Sequence, residues 1–450
     1  MREHVHTLFM GAVLAVCLCM AHVALVGDSA AGQSSKTAER ATRVRPAAGE
    51  AGSSRVVFKD ETYDFELRRA LGYAVSGGAD INESLYTAKR IKEGDDESWY
   101  AAWRATADRV AAIGEASLAA GHKVSAREAF LRASNYYRTA EFFLRANLND
   151  PRLMQAWRLS RDSFRKAAAL MDHPVETVAI PYEGTSLPGY IMKPDGSLEP
   201  RKTLIVQTGF DGTGEELYFA AAFFALRRGY NVLIFEGPGQ GGALREQGLH
   251  FRRDWEKVVT PVVDFALTRP EIAPKRLALI GISMGGYLAP RAAAFEHRLA
   301  AVIANPGAYD LFASRGGRPR EELHQAAAHP EETNQSLRRA MTTNAGMRWH
   351  LQHGMFSFGK TSPLDFLLAL SEYRLDGVVQ RIQAPALVIV SEADHFQTAE
   401  AQRTLYDLLT GPKTLMRFTA ADMAGEHCQM GAVTLSNQRI LDWLDEILAR

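Results

Sequence analysis

Five short, almost unbroken apolar runs limit what this chain can fold into: KTLIVQTGF (202–210), NVLIFEGPG (231–239), RLALIGIS (276–283), LAAVIANPG (299–307) and PALVIVSEADH (385–395). A strand that is apolar at every position, rather than at every second one, is buried on both faces. Helical segments near 214–228, 254–269, 284–296 and 398–409 separate the runs. This alternation predicts a largely parallel α/β sheet with helices on both sides. VETVAIPYEG and LPGYIMKP, just before it, read as the strands of an opening hairpin. The alternation stops between Asp310 and Arg381, where helical stretches near 319–329 and 333–347 read as a lid inserted over the strand ends.

The region 58–173 carries no strand alternation. Its patterns at 95–121, 125–146 and 151–171 are helical, and Trp99, Trp103, Ala107, Val110 and Ile113 recur at three or four as one buried helix face. Ser125 with Glu128 resembles a capping box, Pro151 suits a helix start and Gly121 a helix end. The expectation is a helical domain at 58–173 followed by a sheet domain at 174–450. RASNYYR (132–138) is expected to pack at their interface, and the helical domain is also a candidate surface for a homodimer.

The first 31 residues have a basic start, an apolar run from Leu8 to Val26 and small residues up to Ala31. They read as a signal peptide for export to the periplasm or medium, with an uncleaved membrane tether as the competing reading. Residues 32–57 read as a flexible lead-in. Of three cysteines only Cys428 lies beyond the signal segment, so no internal disulfide is expected in the exported chain. Lys plus Arg equals Asp plus Glu at 52 each, which leaves no global field to attract nucleic acid. The histidines show no metal-ligand spacing, and EGPGQGG (236–242) lacks the lysine of a phosphate loop, so no metal or cofactor is expected. That loop is expected to border the site.

GISMG (281–285) fits G-x-S-x-G in its required setting, with a strand before it and a helix after it. Ser283 is therefore the candidate nucleophile. Asp394 stands just past the carboxyl end of a later strand, with Glu392 and His395 as neighbouring alternatives, and His427 lies in a loop before the last helix. A serine nucleophile needs a histidine base held by an acid, and this order puts all three at one end of the sheet. The amide of Met284, and that of Phe210 in TGFDGTGEE, are the candidate oxyanion donors. Tyr287, Trp349 and Phe356 are candidate pocket walls. Cys428 adjoins His427 but has no elbow to present it, so it reads as non-catalytic.

YDFELRRALG, RASNYYRTAEFF, TGFDGTGEEL, GPGQGG, GISMGGYLAPRAA, EADH and GEHC together resemble one branch of the α/β-hydrolase superfamily. It is the branch of 2,6-dihydroxypseudooxynicotine hydrolase and fungal polyketide-shortening hydrolases, with a helical domain ahead of the catalytic one. The resemblance implies an α/β-hydrolase fold, with Ser283, Asp394 and His427 as nucleophile, acid and base. It also implies hydrolysis, through an acyl-enzyme, of an ester or of a carbon–carbon bond beside a ketone in a small aromatic compound. A prolyl-oligopeptidase-like peptidase and a non-enzymatic binding protein are the alternatives.

Overall fold

The computed structural model describes residues 55–315 and 320–449. The expected signal peptide, and the lead-in as far as residue 54, lie outside those residues. At its end Val56 and Val57 are tied down, donating backbone hydrogen bonds to the Asp64 carboxylate at 2.8–3.0 Å.

Eight strands form one sheet: β1 (Val175–Tyr182), β2 (Thr185–Met192), β3 (Arg201–Gln207), β4 (Asn231–Phe235), β5 (Ile272–Ile282), β6 (Ala301–Asn305), β7 (Ala386–Ser391) and β8 (Lys413–Phe418). Their order is β1-β2-β4-β3-β5-β6-β7-β8. β1 and β2 pair antiparallel in register from Val175↔Met192 to Tyr182↔Thr185, β2 pairs antiparallel with β4, and every later pair is parallel. The pleat sorts the apolar runs between two cores. Ile205, Leu277 and Leu279 face the helices Glu256–Leu267 and Gly285–Ala293, whereas Leu204, Val206, Ala278 and Ile280 face the segment Tyr218–Leu226 and the last helix, Val433–Leu448. Each fully buried Leu or Ile contributes roughly 1.5–3 kcal/mol, so continuous apolar strands are stable only in this double-sided setting. β8 and the π-helical turn Tyr218–Ala222 have no counterpart in the sequence reading.

Ahead of the sheet stand the helices Glu61–Gly72, Ile81–Ala88, Asp96–Ala119, Lys123–Glu141 and Pro151–Ala168. Asp150 caps the last of these with Pro151 in its first turn, as expected. Ser125 and Glu128 do not form a capping box, because the helix already begins at Lys123, directly after the turn at Gly121. The buried face of Asp96–Ala119 runs through Trp99, Trp103, Ala107 and Val110 to Gly114, which leaves Ile113 exposed. RASNYYR packs largely within the helical region rather than at the interface: the Asn135 amide donates to the Ala70 and Gly78 carbonyls and Arg138 approaches Glu66 at 3.4 Å, while Arg138 also reaches across to Glu216 at 3.8 Å.

Between β6 and β7 the chain forms the helices Arg320–Ala327, Pro330–Thr343, Ala345–Phe358 and Pro363–Ser371. No helix among the described residues is long and apolar enough to cross a membrane.

Candidate active site

In a parallel sheet the carboxyl ends of the strands open on one edge, where connecting loops converge. Here β3 delivers Thr208–Asp211, β5 delivers Ser283, β7 delivers Asp394, and the loop after β8 delivers His427. The elbow at Ser283 is sterically demanding. Ser283 adopts φ 62°, and a methyl group placed on Gly281 would lie 1.9 Å from the Gly285 carbonyl oxygen. The Ser283 amide donates to the Asn305 carbonyl of β6 at 2.7 Å, which fixes the elbow to the neighbouring strand.

Ser283 Oγ lies 2.9 Å from His427 Nε2, and His427 Nδ1 lies 2.7 Å from Asp394 Oδ2. Asp394 Oδ1 accepts from the backbone N–H of Phe396 and Gln397, at 2.7 and 3.1 Å, and Oδ2 also accepts from the Gln402 amide at 2.9 Å. The carboxylate is thus hydrogen-bonded on both oxygens with its side chain fully buried. Burial alone lowers the proton affinity of His427, but the Asp394 charge outweighs it and the net shift is upward. His427 therefore binds a proton from a serine more readily than a free imidazole does. Glu392 instead pairs with Arg417, and His395 packs against Phe65 and Phe396. Cys428 is buried, its Sγ 3.5 Å from the Asn305 carbonyl oxygen.

Phe210 and Met284 come together through Gly209, where an added methyl group would lie 2.5 Å from the Met284 nitrogen. Neither the Phe210 nor the Met284 backbone N–H makes a hydrogen bond among the described residues. Two side chains hold the Phe210 loop. The Gln240 amide donates to the Thr208 and Gly209 carbonyls at 2.9 and 3.1 Å, and His353 Nε2 donates to the Phe210 carbonyl at 2.7 Å. Burial keeps His353 neutral, pushing its pKa well down. Sequence reasoning missed both residues.

These groups open into one cavity. Phe65, Phe210, Leu370, Phe396 and Met430 give it apolar walls, and Trp349 is also among its lining residues. Tyr287 and Phe356 are not among its lining residues: Tyr287 packs against Tyr373, and Phe356 is half-buried against the apolar core beside His353. EGPGQGG does not line it either. Its Glu236 accepts backbone N–H from Gly214 and Gly242, each at 2.6 Å, so the carboxylate caps two helix starts behind the site.

A buried ionic group closes the far wall. Arg69 bonds Glu216 through two nitrogens at 2.6 and 2.7 Å, and reaches Asp211 at 2.8 Å and Glu66 at 3.1 Å. Tyr73 donates to Glu216 at 2.9 Å. Burial raises Glu66, and neither Arg69 nor Arg138 fully offsets it. Burial opposes ionisation of Asp211 and Glu216 too, yet the arginines outweigh it and both carboxyls are held below their ordinary values. Among the described residues no cluster of three or more His, Cys, Asp or Glu could hold a metal ion.

Residues 208–430 match the α/β hydrolase family and residues 96–318 match the family described as Esterase FrsA-like. Hydrolase LUC6 of Fusarium sp is 36% identical over 410 residues, covering 87% of this chain and 97% of the relative. The 20-hydroxy-prefusarin hydrolase FUS2 of Gibberella moniliformis is 36% identical over 413 residues, covering 87% and 98%. The crystal structure of 2,6-dihydroxy-pseudo-oxynicotine hydrolase superposes with a TM-score of 0.67 over 84% of this chain and 95% of that one, and its 22% identity establishes likeness of fold. With the strand order, the elbow and the helices ahead of the sheet, these matches place the chain in the α/β-hydrolase family.

Proposed function

We propose that the protein is a serine hydrolase that opens a small, partly aromatic acyl compound through an acyl-enzyme. One observation carries this: an unbroken chain from Ser283 Oγ through His427 to Asp394 ends in a cavity beside two unpaired backbone N–H groups. Ser283 Oγ attacks the carbonyl carbon as His427 Nε2 takes its proton. The N–H groups of Phe210 and Met284 hold the oxyanion. His427 then returns the proton to the leaving group: to the oxygen of an ester, or to the carbon of an enolate where a carbon–carbon bond beside a ketone breaks. Water, deprotonated by His427, releases the acid and restores Ser283.

Enclosure by two sets of helices favours a compact ligand over a folded protein. The aromatic walls and the 20-hydroxy-prefusarin for which the Gibberella moniliformis relative is named support a small, hydroxylated compound. The test is labelling with a fluorophosphonate probe, read by intact mass. Wild type gains one adduct and Ser283→Ala gains none while keeping the same melting temperature. Undiminished labelling of the variant overturns the assignment. A panel holding an aryl ester, a β-diketone and a short blocked peptide then separates the bond classes.

A further inference from the structure

The wall of the cavity facing the triad is charged, and its charges are not all used up by one another. Asp211 lies one residue beyond the oxyanion donor Phe210, with a side chain only 10% exposed. Its Oδ2 is taken by Arg69, while Oδ1 makes no hydrogen bond among the described residues. Two residues of the cavity lining also carry a fully buried polar atom with no partner among the described residues, the Gln397 side-chain oxygen and the Trp349 indole N–H. A polar group buried without a partner costs about 1–3 kcal/mol, so a ligand that covers Asp211 Oδ1 is favoured when it supplies a donor there.

The sign of charge narrows the class. Asp211 and Glu216 are matched by Arg69 and Arg138, and Glu66 is the carboxyl that burial drives toward its neutral form. Each carboxyl of the wall is thus paired with an arginine rather than left to draw in an ammonium ion. The wall offers one fixed, ionised acceptor to a neutral molecule. Consecutive Cα atoms are about 3.8 Å apart, so a group bound at Asp211 sits only a few bonds from a carbonyl held at the Phe210 amide.

We propose that Asp211 Oδ1 is a specificity-determining acceptor for a hydroxyl group of a neutral, polyoxygenated substrate, a few bonds from the reacting carbonyl. Arg69 holds the carboxylate in place. This deepens the serine-hydrolase reading and rests on it.

The test compares the 4-nitrophenyl esters of (R)- and (S)-3-hydroxybutyric acid with that of 3-methylbutyric acid, in which a methyl group replaces the hydroxyl. Wild type should favour one hydroxy ester by more than about tenfold in kcat/KM, the size expected of one hydrogen bond to a charged group. Asp211→Ala should reduce that preference below threefold. Asp211→Asn, which keeps an acceptor without the charge, should fall between and guards against loss of folding in the first variant. Where turnover is too slow to measure, 3-hydroxy-1-phenylbutan-1-one and 3-methyl-1-phenylbutan-1-one are compared as protectors of Ser283 against the fluorophosphonate. No preference in wild type, or a preference that survives Asp211→Ala, overturns the proposal while leaving the nucleophile assignment standing. A wild type that neither turns over ester nor labels brings down the serine reading, and this proposal with it.

Discussion

The strand ends of the sheet and the helices that cover them enclose the same cavity, yet they place their residues by different means. Ser283, Asp394 and His427 sit on loops whose positions follow from a parallel sheet with its register set by buried Val, Leu and Ile. Arg69 on Glu61–Gly72 and His353 on Ala345–Phe358 are placed by packing between distant parts of the chain. The sheet side tolerates little movement, because Ser283 and Asp394 leave strands held on both flanks and His427, after the edge strand β8, is tied to both of them by hydrogen bonds. The cover meets the sheet through ring contacts such as Phe210 with Trp349 and Phe366, and through ion pairs and single hydrogen bonds at Arg69, Asp211 and the Phe210 carbonyl. Chemistry and selectivity are thus held by different kinds of contact.

The sharpest way to break this division is on the sheet side. Asp394→Asn should lower kcat by about ten-thousandfold with the fold intact, because the imidazole loses the partner that fixes its tautomer. The pH profile tests the cause. His427 acts as a base only when neutral, so activity falls as pH drops through its pKa, which Asp394 raises. Removing that charge should move the acid limb of kcat/KM to lower pH; an unmoved limb would show that Asp394 does not set it.

On the cover, Arg69→Met should act first on stability. It leaves Asp211 and Glu216 buried without their main partner, a loss of about 3–5 kcal/mol. The midpoint of urea unfolding measures it, and the double variant Arg69→Met/Glu216→Gln should recover part of the loss. An unchanged midpoint would show that the cover is not held by this group.

The smallest effect should come at His353, a positioning residue for the oxyanion loop. His353→Leu should lower kcat about tenfold, roughly 1.4 kcal/mol of barrier, with a smaller change in KM. His353→Gln keeps a donor and should recover most of it. Equal losses in both variants would indicate packing rather than the hydrogen bond to Phe210.

The same division governs what could be read from sequence. His427 and Ser283 are 144 residues apart, but the apolar runs identify strands and the parallel topology brings their ends together. Periodicity thus supplies the long-range information. Arg69 and Glu216 are 147 residues apart, and His353 and the Phe210 carbonyl 143, with no periodic signal to relate them. Arg69 looks like any charged residue on a helix until its partners are known. Tyr287 and Phe356 were misplaced for the same reason: an aromatic residue near a site in sequence packs wherever the helix turns it. β8 was missed because its residues are mostly half-buried and lack the unbroken apolar run of the inner strands.

The contact that joins the elbow to the histidine loop bears on how this sequence can drift. The side-chain amides of Asn305 and Gln429 are both buried and bond each other reciprocally, each nitrogen 3.0 Å from the other's oxygen, and Gln429 also donates to Ser391 Oγ at 2.8 Å. Replacing one of the two by an apolar residue strands the polar atoms of the other, at about 1–3 kcal/mol for each. Replacing both with groups of matching shape removes the mismatch together with the bond. Fitness at position 305 is therefore conditional on position 429: the two are expected to change as a pair among descendants of this chain, and a lone substitution at either should persist only where a second has already cushioned it.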